Sequence, residues 1–274
     1  MRVAFTPRLY AVALAVALST SAALGQTGKP TGKSLPPKPS APASTPDHAV
    51  PFKVGEVLTY EVSWSSLLVG GTAELTVKDR RTSAGRAGYY ITAEGGPRPF
   101  LQKLYPFQYR ADSLLDVKTL LPIQASTFSE ERGRTQLKIT RFPATGTTID
   151  YEIRTATVVH EKRQVPPYVQ DPLSVLYFLR GVTFQPGDTI KIPVTDGGVL
   201  YYARVVFGSP SAIRTGAGVF SAWQVQLTVL DEQNQETGQK LTIWLSSDAR
   251  RLPVRFDVGL PVGTFVVTLT HVGP

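Results

Sequence analysis

The residues able to do chemistry are few and scattered. His48, His160 and His271 are the only histidines among 274 residues, and there is no cysteine. No two histidines stand at metal-ligand spacing, and without a thiol there is no disulfide, thiolate ligand or cysteine nucleophile. Gly-x-Ser-x-Gly, His-Glu-x-x-His and a phosphate-cradling Walker loop are all absent. Loops at Asp188, Asp196-Gly197-Gly198 and Asp231 lack the repeated acidic ligands of a hard-cation site and read as turns. A hydrolase would need two carboxylates facing one cleft; the candidates Glu56, Glu61 and Glu74 are assigned by strand alternation to solvent faces. The expectation is a non-enzymatic protein with no catalytic residue, metal or cofactor.

Two polar clusters remain. Asp171 and Arg180 stand at the two ends of QDPLSVLYFLRG (170–181), and Asp248, Arg250, Arg251 and Arg255 lie in WLSSDARRLPVRFD (244–257). One reading is a buried ion pair between the two segments. The other is a rim of arginines that receives an anionic head group while apolar side chains receive its tail. On that second reading the candidate ligand-binding set is Asp171, Tyr177, Arg180, Asp248, Arg250, Arg251 and Arg255.

The elements must hold these clusters together. Asp171 can cap a helix over 171–180, with Pro172 at the position where a missing N–H costs nothing and Gly181 as a left-handed stop. Leu173, Leu176, Tyr177 and Arg180 fall at helical spacing, and Val175, Phe178 and Leu179 carry the apolar surface almost all the way round, so the helix has to be covered.

Everything else reads as strand. Leu58, Tyr60, Val62 and Trp64 alternate with Thr59, Glu61 and Ser63; Gly70-Gly71 marks a bend or bulge before a second strand holding Ala73, Leu75 and Val77. Arg80 to Gly88 is a polar turn. Further strands carry Tyr89, Ile91 and Ala93; Tyr105, Phe107 and Tyr109; 123–129; Leu137 and Ile139; Ile149, Tyr151 and Ile153; and 157–161. After Pro166-Pro167 and the helix come Ile190 to Val194, 200–207, Trp223 to Val229, Leu241 to Leu245, Leu252 to Val258, and Phe265, Val267 and Leu269, whose face His271 continues as a core or rim histidine. About a dozen strands without βαβ alternation predict an all-β domain, a strongly curved antiparallel sheet or partly open β-barrel with the helix on its concave face.

Residues 1–25 have a basic start (Arg2, Arg8), an apolar run and a small-x-small cleavage site at Ala23-Leu24-Gly25, the pattern of a secretory signal. The apolar run is too short to span a bilayer, so the chain is expected not to be membrane-spanning, and it carries no lipobox cysteine. Residues 26–50 are Pro-, Ser- and Lys-rich and read as a disordered linker; 51–274 form the domain. The expected address is the periplasm or outside the cell. The net charge of +8 comes from 29 basic and 21 acidic residues, and falls to about +4 once the front segments are removed. No basic run with interleaved aromatics suggests nucleic-acid binding. A transmembrane barrel is disfavoured by the Pro-rich front, the interior helix and the lack of a terminal aromatic signature.

VGEVLTYEVSW (54–64), Gly70, QDPLSVLYFLR (170–180), DGGVLYYARV (196–205), GVF (218–220) and IWLSSDARRLPVRF (243–256) resemble the exported bacterial family called domain of unknown function 3108, or DUF3108, over nearly all of 54–272. The resemblance implies domain extent and an exported address, with no activity attached. In outline the strand pattern is also similar to envelope lipoprotein carriers of the LolA and LolB type, curved sheets around a helix and an apolar cavity. The preferred expectation is therefore binding or carrying an apolar or amphipathic envelope ligand, a lipid, acyl chain or lipoprotein, in room left between helix and sheet. The rival is a structural or interaction module that meets an envelope protein partner through a sheet edge or the Pro-rich tail.

Overall fold

The computed structural model describes residues 47–64, 68–103, 106–131, 133–260 and 263–274. The expected signal and most of the expected 26–50 linker, with Tyr105, lie outside them. Fourteen strands build a single antiparallel sheet: β1 (Val57–Trp64), β2 (Leu68–Ser83), β3 (Arg86–Pro97), β4 (Phe107–Asp116), β5 (Pro122–Glu131), β6 (Arg134–Arg141), β7 (Thr148–Arg154), β8 (Val158–Gln164), β9 (Thr189–Asp196), β10 (Val199–Thr215), β11 (Gly218–Leu230), β12 (Glu236–Ser246), β13 (Pro253–Leu260) and β14 (Gly263–Val272). Among the described residues two helices join them, α1 (Pro99–Gln102) and α2 (Pro172–Gly181). The strand order is β8-β7-β6-β5-β4-β3-β2-β1-β14-β13-β12-β11-β10-β9. Neighbours in sequence are thus neighbours in the sheet, except that β1 pairs with β14 at its centre and α2 leads the chain from one edge to the other.

Alternation explains the inward faces. Leu58 and Tyr60 of β1, Leu75 and Val77 of β2, and Tyr89, Ile91 and Ala93 of β3 are all buried. The pairing of β1 with β2 slips where Val62 meets Gly71 and Ser63 meets Val69, so Gly70 is an extra residue in the ladder. The bulge expected before the second strand therefore lies inside it. The turn expected over 80–88 shrinks to Ala84 and Gly85, both at positive φ, and the rest of that segment pairs as strand.

The sheet curls hard on its β9–β14 side. The turn between β10 and β11 reaches across to β14, where Ala217 donates its N–H to the Leu269 carbonyl at 3.2 Å. One core runs from β1–β4 through α2 to β9–β14, and a small second one of Phe142, Ile149, Val165, Val169 and Leu200 joins the β5–β8 wing to β10. No hydrogen-bonded ladder joins β8 to β9, so the sheet stays unclosed. Side chains bridge the gap at one end: Lys138 of β6 pairs with Asp196 of β9 at 2.6 Å, and Arg163 of β8 meets the Gly198 carbonyl and Glu232. Gly197 and Gly198 form the β9–β10 turn at positive φ, and Gly198 lies so close beneath the Tyr151 ring that a Cβ would stand 2.4 Å from it.

Helix α2 lies on the concave face, packed between β4 and β9. Leu173, Val175, Leu176, Tyr177 and Leu179 are buried, which accounts for a helix apolar on nearly every side. Its end differs from expectation. Gly181 is the last helical residue, the chain leaves through Val182 in an extended conformation, and Val182 N–H closes on the Phe178 carbonyl. A Cβ at Gly181 would lie 3.3 Å from Leu120 Cδ1, a tight contact that a small shift of the leucine side chain would relieve.

Candidate functional site

The two ends of α2 organise the buried polar groups. At the start, Asp171 and Ser174 form a reciprocal capping box: Asp171 Oδ1 accepts from the Leu173 and Ser174 N–H groups at 2.9 and 3.0 Å, and Ser174 Oγ accepts from Asp171 N–H at 2.9 Å. The second carboxylate oxygen accepts from Ser113 Oγ of β4 at 2.7 Å, tying the cap to the sheet. Burial pushes the Asp171 carboxyl above its usual range, with these hydrogen bonds acting in the opposite direction.

At the other end Arg180 is fully enclosed, and its guanidinium makes a two-pronged pair with Glu56, Nη1 to Oε1 at 2.6 Å and Nη2 to Oε2 at 2.8 Å. Nη2 also donates to the Arg250 carbonyl at 3.1 Å, and the cation sits about equally far from the Phe52 and Tyr177 rings, 5.3 and 5.1 Å from their centres. Burial opposes the charge on Arg180, yet the hydrogen bonds and charge of Glu56 hold its pKa above the ordinary value. Burial likewise pushes the Tyr177 hydroxyl upward, and Tyr177 packs edge-on against Phe52.

The helix and the 248–255 hairpin thus do meet, but the ion partner is Glu56 rather than Asp248. Glu56, expected on a solvent face, is buried, 7% exposed. Its parity already placed it inside, since 56, 58 and 60 share one face. Asp248 begins the turn as expected, accepting from Ser246 Oγ at 2.7 Å and pairing with Arg250 at 2.7 Å. Burial acts against its charge, but Ser246 and Arg250 hold the carboxyl below its usual range. Arg255 pairs with Asp257 along the same strand. Arg251 has no carboxylate partner among the described residues; it lies 4.7 Å over the Phe184 ring, and burial lowers its pKa. The seven predicted residues therefore split. Asp171, Tyr177 and Arg180 are buried in α2 and at its start, Asp248 and Arg250 pair within a local turn, Arg251 lies over Phe184 just beyond the helix, and Arg255 pairs with Asp257. Of the histidines, His271 is an exposed rim residue and His160 lies 2.8 Å from Asp150 on the wing.

Sequence reasoning also missed Ser113, Lys138 and Asp196. Lys138 and Asp196 form a second buried ion pair, and nothing in the alternation of β6 announces it, because Leu137 and Ile139 look like the inward row while Lys138 and Thr140 occupy it.

The hollow expected between helix and sheet is filled where α2 begins. The space among Tyr109, Lys138, Asp171, Leu173, Thr195 and Asp196 measures about 10 Å³, room for one water, against the roughly 300–1,000 Å³ of a ligand pocket. A larger depression of about 470 Å³, open to solvent, lies outside this region against Ala217, Phe220, Arg250, Thr270, His271 and Val272. Among the described residues no group of three or more His, Asp or Glu side chains is placed to hold a metal, and no helix is long and apolar enough to cross a membrane.

No curated protein matches the sequence. Among solved structures, a β-barrel-like protein of domain of unknown function DUF1849 from Brucella abortus superposes with a TM-score of 0.50 at 11% identity, covering 80% of this chain and 97% of that one. A protein with a YmcC-like fold from Bacteroides fragilis covers 82% of this chain and 99% of its own at 11% identity and a TM-score of 0.35. The first likeness concerns fold alone: a barrel-like curled sheet. Residues 59–270 match the family model for a protein of unknown function, DUF3108, and the chain belongs to that family.

Proposed function

We propose that this protein is a non-enzymatic module of the cell envelope that works through its surface, meeting a partner protein, with α2 serving to fill and brace the sheet. The observation that carries this reading is the interior at the start of α2, where about 10 Å³ remains, Asp171 is taken up by the cap and Ser113, and Lys138 pairs with Asp196. An acyl chain has no room there. The exported address rests on the signal pattern of residues 1–25. A chain lacking 1–25 should purify without lipid in native mass spectrometry and solvent extraction; one equivalent of retained lipid, protected from detergent, would refute the surface reading.

A second reading keeps a ligand but moves it. The open depression beside Arg250 and His271, lined also by Phe220 and Val272, has the volume to take an amphipathic anion. Saturable binding of a lauroyl-chain carboxylate that Arg250→Ala and Phe220→Ala abolish would favour it over the first reading.

A further inference from the structure

The two edges of the open sheet are treated differently. On β9, Pro193 has no N–H to offer, its carbonyl accepts from Gln170 N–H at 2.9 Å, and the Thr195 N–H is taken by the Gln170 carbonyl at 2.9 Å. That edge is stopped by one residue of the segment leading into α2. No described segment lies along β8. Val165 N–H pairs with the Thr147 carbonyl, so alternation turns the N–H and C=O groups of Gln164, Lys162, His160 and Val158 away from β7 and into the open. Val158 and Val159 are 64% and 41% exposed at the start of the strand.

We propose that the β8 edge is the docking surface, and that its occupant is an extended segment of a partner protein that adds as a strand, with acidic side chains opposite His160 and Lys162 and an apolar one opposite Val158. This rests on the surface-acting reading and names its place and its partner's chemistry. Charge selects the occupant. His160 and Lys162 share the outer face of the edge; the two carboxylates opposite them on β7 are already engaged, Asp150 by His160 and Arg141 and Glu152 by Arg154, and Lys162 has no ion pair among the described residues. A second copy is disfavoured in the centred antiparallel register, which sets Glu161 against Glu161 and His160 against Lys162. The chain's own front segment is excluded by its composition: between Thr27 and Pro46 it carries three lysines, six prolines and no acid, so it neither complements the charge nor supplies an unbroken ladder. Main-chain pairing would give affinity and the alternate side chains specificity.

The test uses the full chain and two capped seven-residue peptides, one alternating Glu with Val and one alternating Lys with Val. The Glu peptide should bind at least about tenfold more tightly than the Lys peptide. Its amide shifts should concentrate at His160, Lys162 and Gln164. Lys162→Pro, which alters an outward N–H and leaves the β7 ladder paired, should abolish binding at an unchanged melting temperature, and Lys162→Glu should reverse the preference. Failure of the Glu peptide to bind, equal binding of both peptides, shifts away from β8, or a dimer that Lys162→Pro dissolves would each overturn the proposal. Lipid held in the interior would instead overturn the reading beneath it.

Discussion

The two ends of α2 are equally buried and are satisfied in opposite ways. Arg180 is a full charge met by a full opposite charge from Glu56, with both prongs hydrogen-bonded. Asp171 is a carboxylate met by neutral donors alone: two N–H groups of its own first turn and the hydroxyl of Ser113. The difference teaches that one end is a cross-link and the other a cap. The Glu56 pair joins residues 124 apart in sequence and, through the Arg250 carbonyl, binds the start of β1, the helix and the β12–β13 turn into one unit. The Asp171 set is local except for Ser113.

The largest effect should come from breaking the charged end unevenly. Glu56→Ala leaves a guanidinium enclosed without a counter-charge and should cost about 3–5 kcal/mol, read by denaturant unfolding. Replacing both partners, Glu56→Leu with Arg180→Met, should recover most of that loss, because the desolvation of two ions disappears with the pair. A double variant as unstable as the single would mean that the cross-link itself is what holds the fold. At the seam, Asp196→Ala strands Lys138 in the same way and should cost about 3 kcal/mol. Amide exchange should then rise in β6–β8 and stay low in β1–β4, since the wing depends on that seam and the main core does not.

What the sequence disclosed follows the same division. The cap was legible because its chemistry is written within four residues: Asp171, Pro172 and the apolar run behind them declare a helix start wherever the chain goes. Arg180 was visible as a polar residue on an apolar helix, but its partner depends on which end of β1 passes the helix, a question of tertiary geometry. Glu56 was nonetheless recoverable from parity with Leu58 and Tyr60. Lys138 was hidden because the apolar residues of β6, Leu137 and Ile139, lie only half-buried while Lys138 and Thr140 take the buried row, so apolar alternation there points to the wrong face. The left-handed stop at Gly181 does not form because Gly181 stays helical and the chain turns out through Val182 in an extended conformation instead.

The capped end should respond more gently. Asp171→Ala loses the side chain that satisfies two first-turn N–H groups and should cost about 0.5–2 kcal/mol by thermal unfolding. With no arginine paired to the carboxylate, the loss should stay below that of Glu56→Ala.

The smallest effect separates the two ends most sharply. Asn caps a helix about as well as Asp and carries no charge, so Asp171→Asn should change stability by less than about 0.5 kcal/mol near neutral pH, whereas Glu56→Gln should remain strongly destabilising. The pH dependence supplies the sign. Burial raises the Asp171 carboxyl above its unfolded value, so the folded protein binds that proton more tightly than the unfolded chain does. Its contribution to stability is fully present below the unfolded pKa and is lost as pH rises through the folded pKa. Relative to Asp171→Asn, the wild-type protein should therefore gain stability on acidification across that window, the reverse of a carboxylate held by a salt bridge. Melting curves of both proteins from pH 3 to 8 check it. A wild-type protein that loses ground to Asp171→Asn as pH falls would place a cation beside Asp171 and make the two ends of the helix alike.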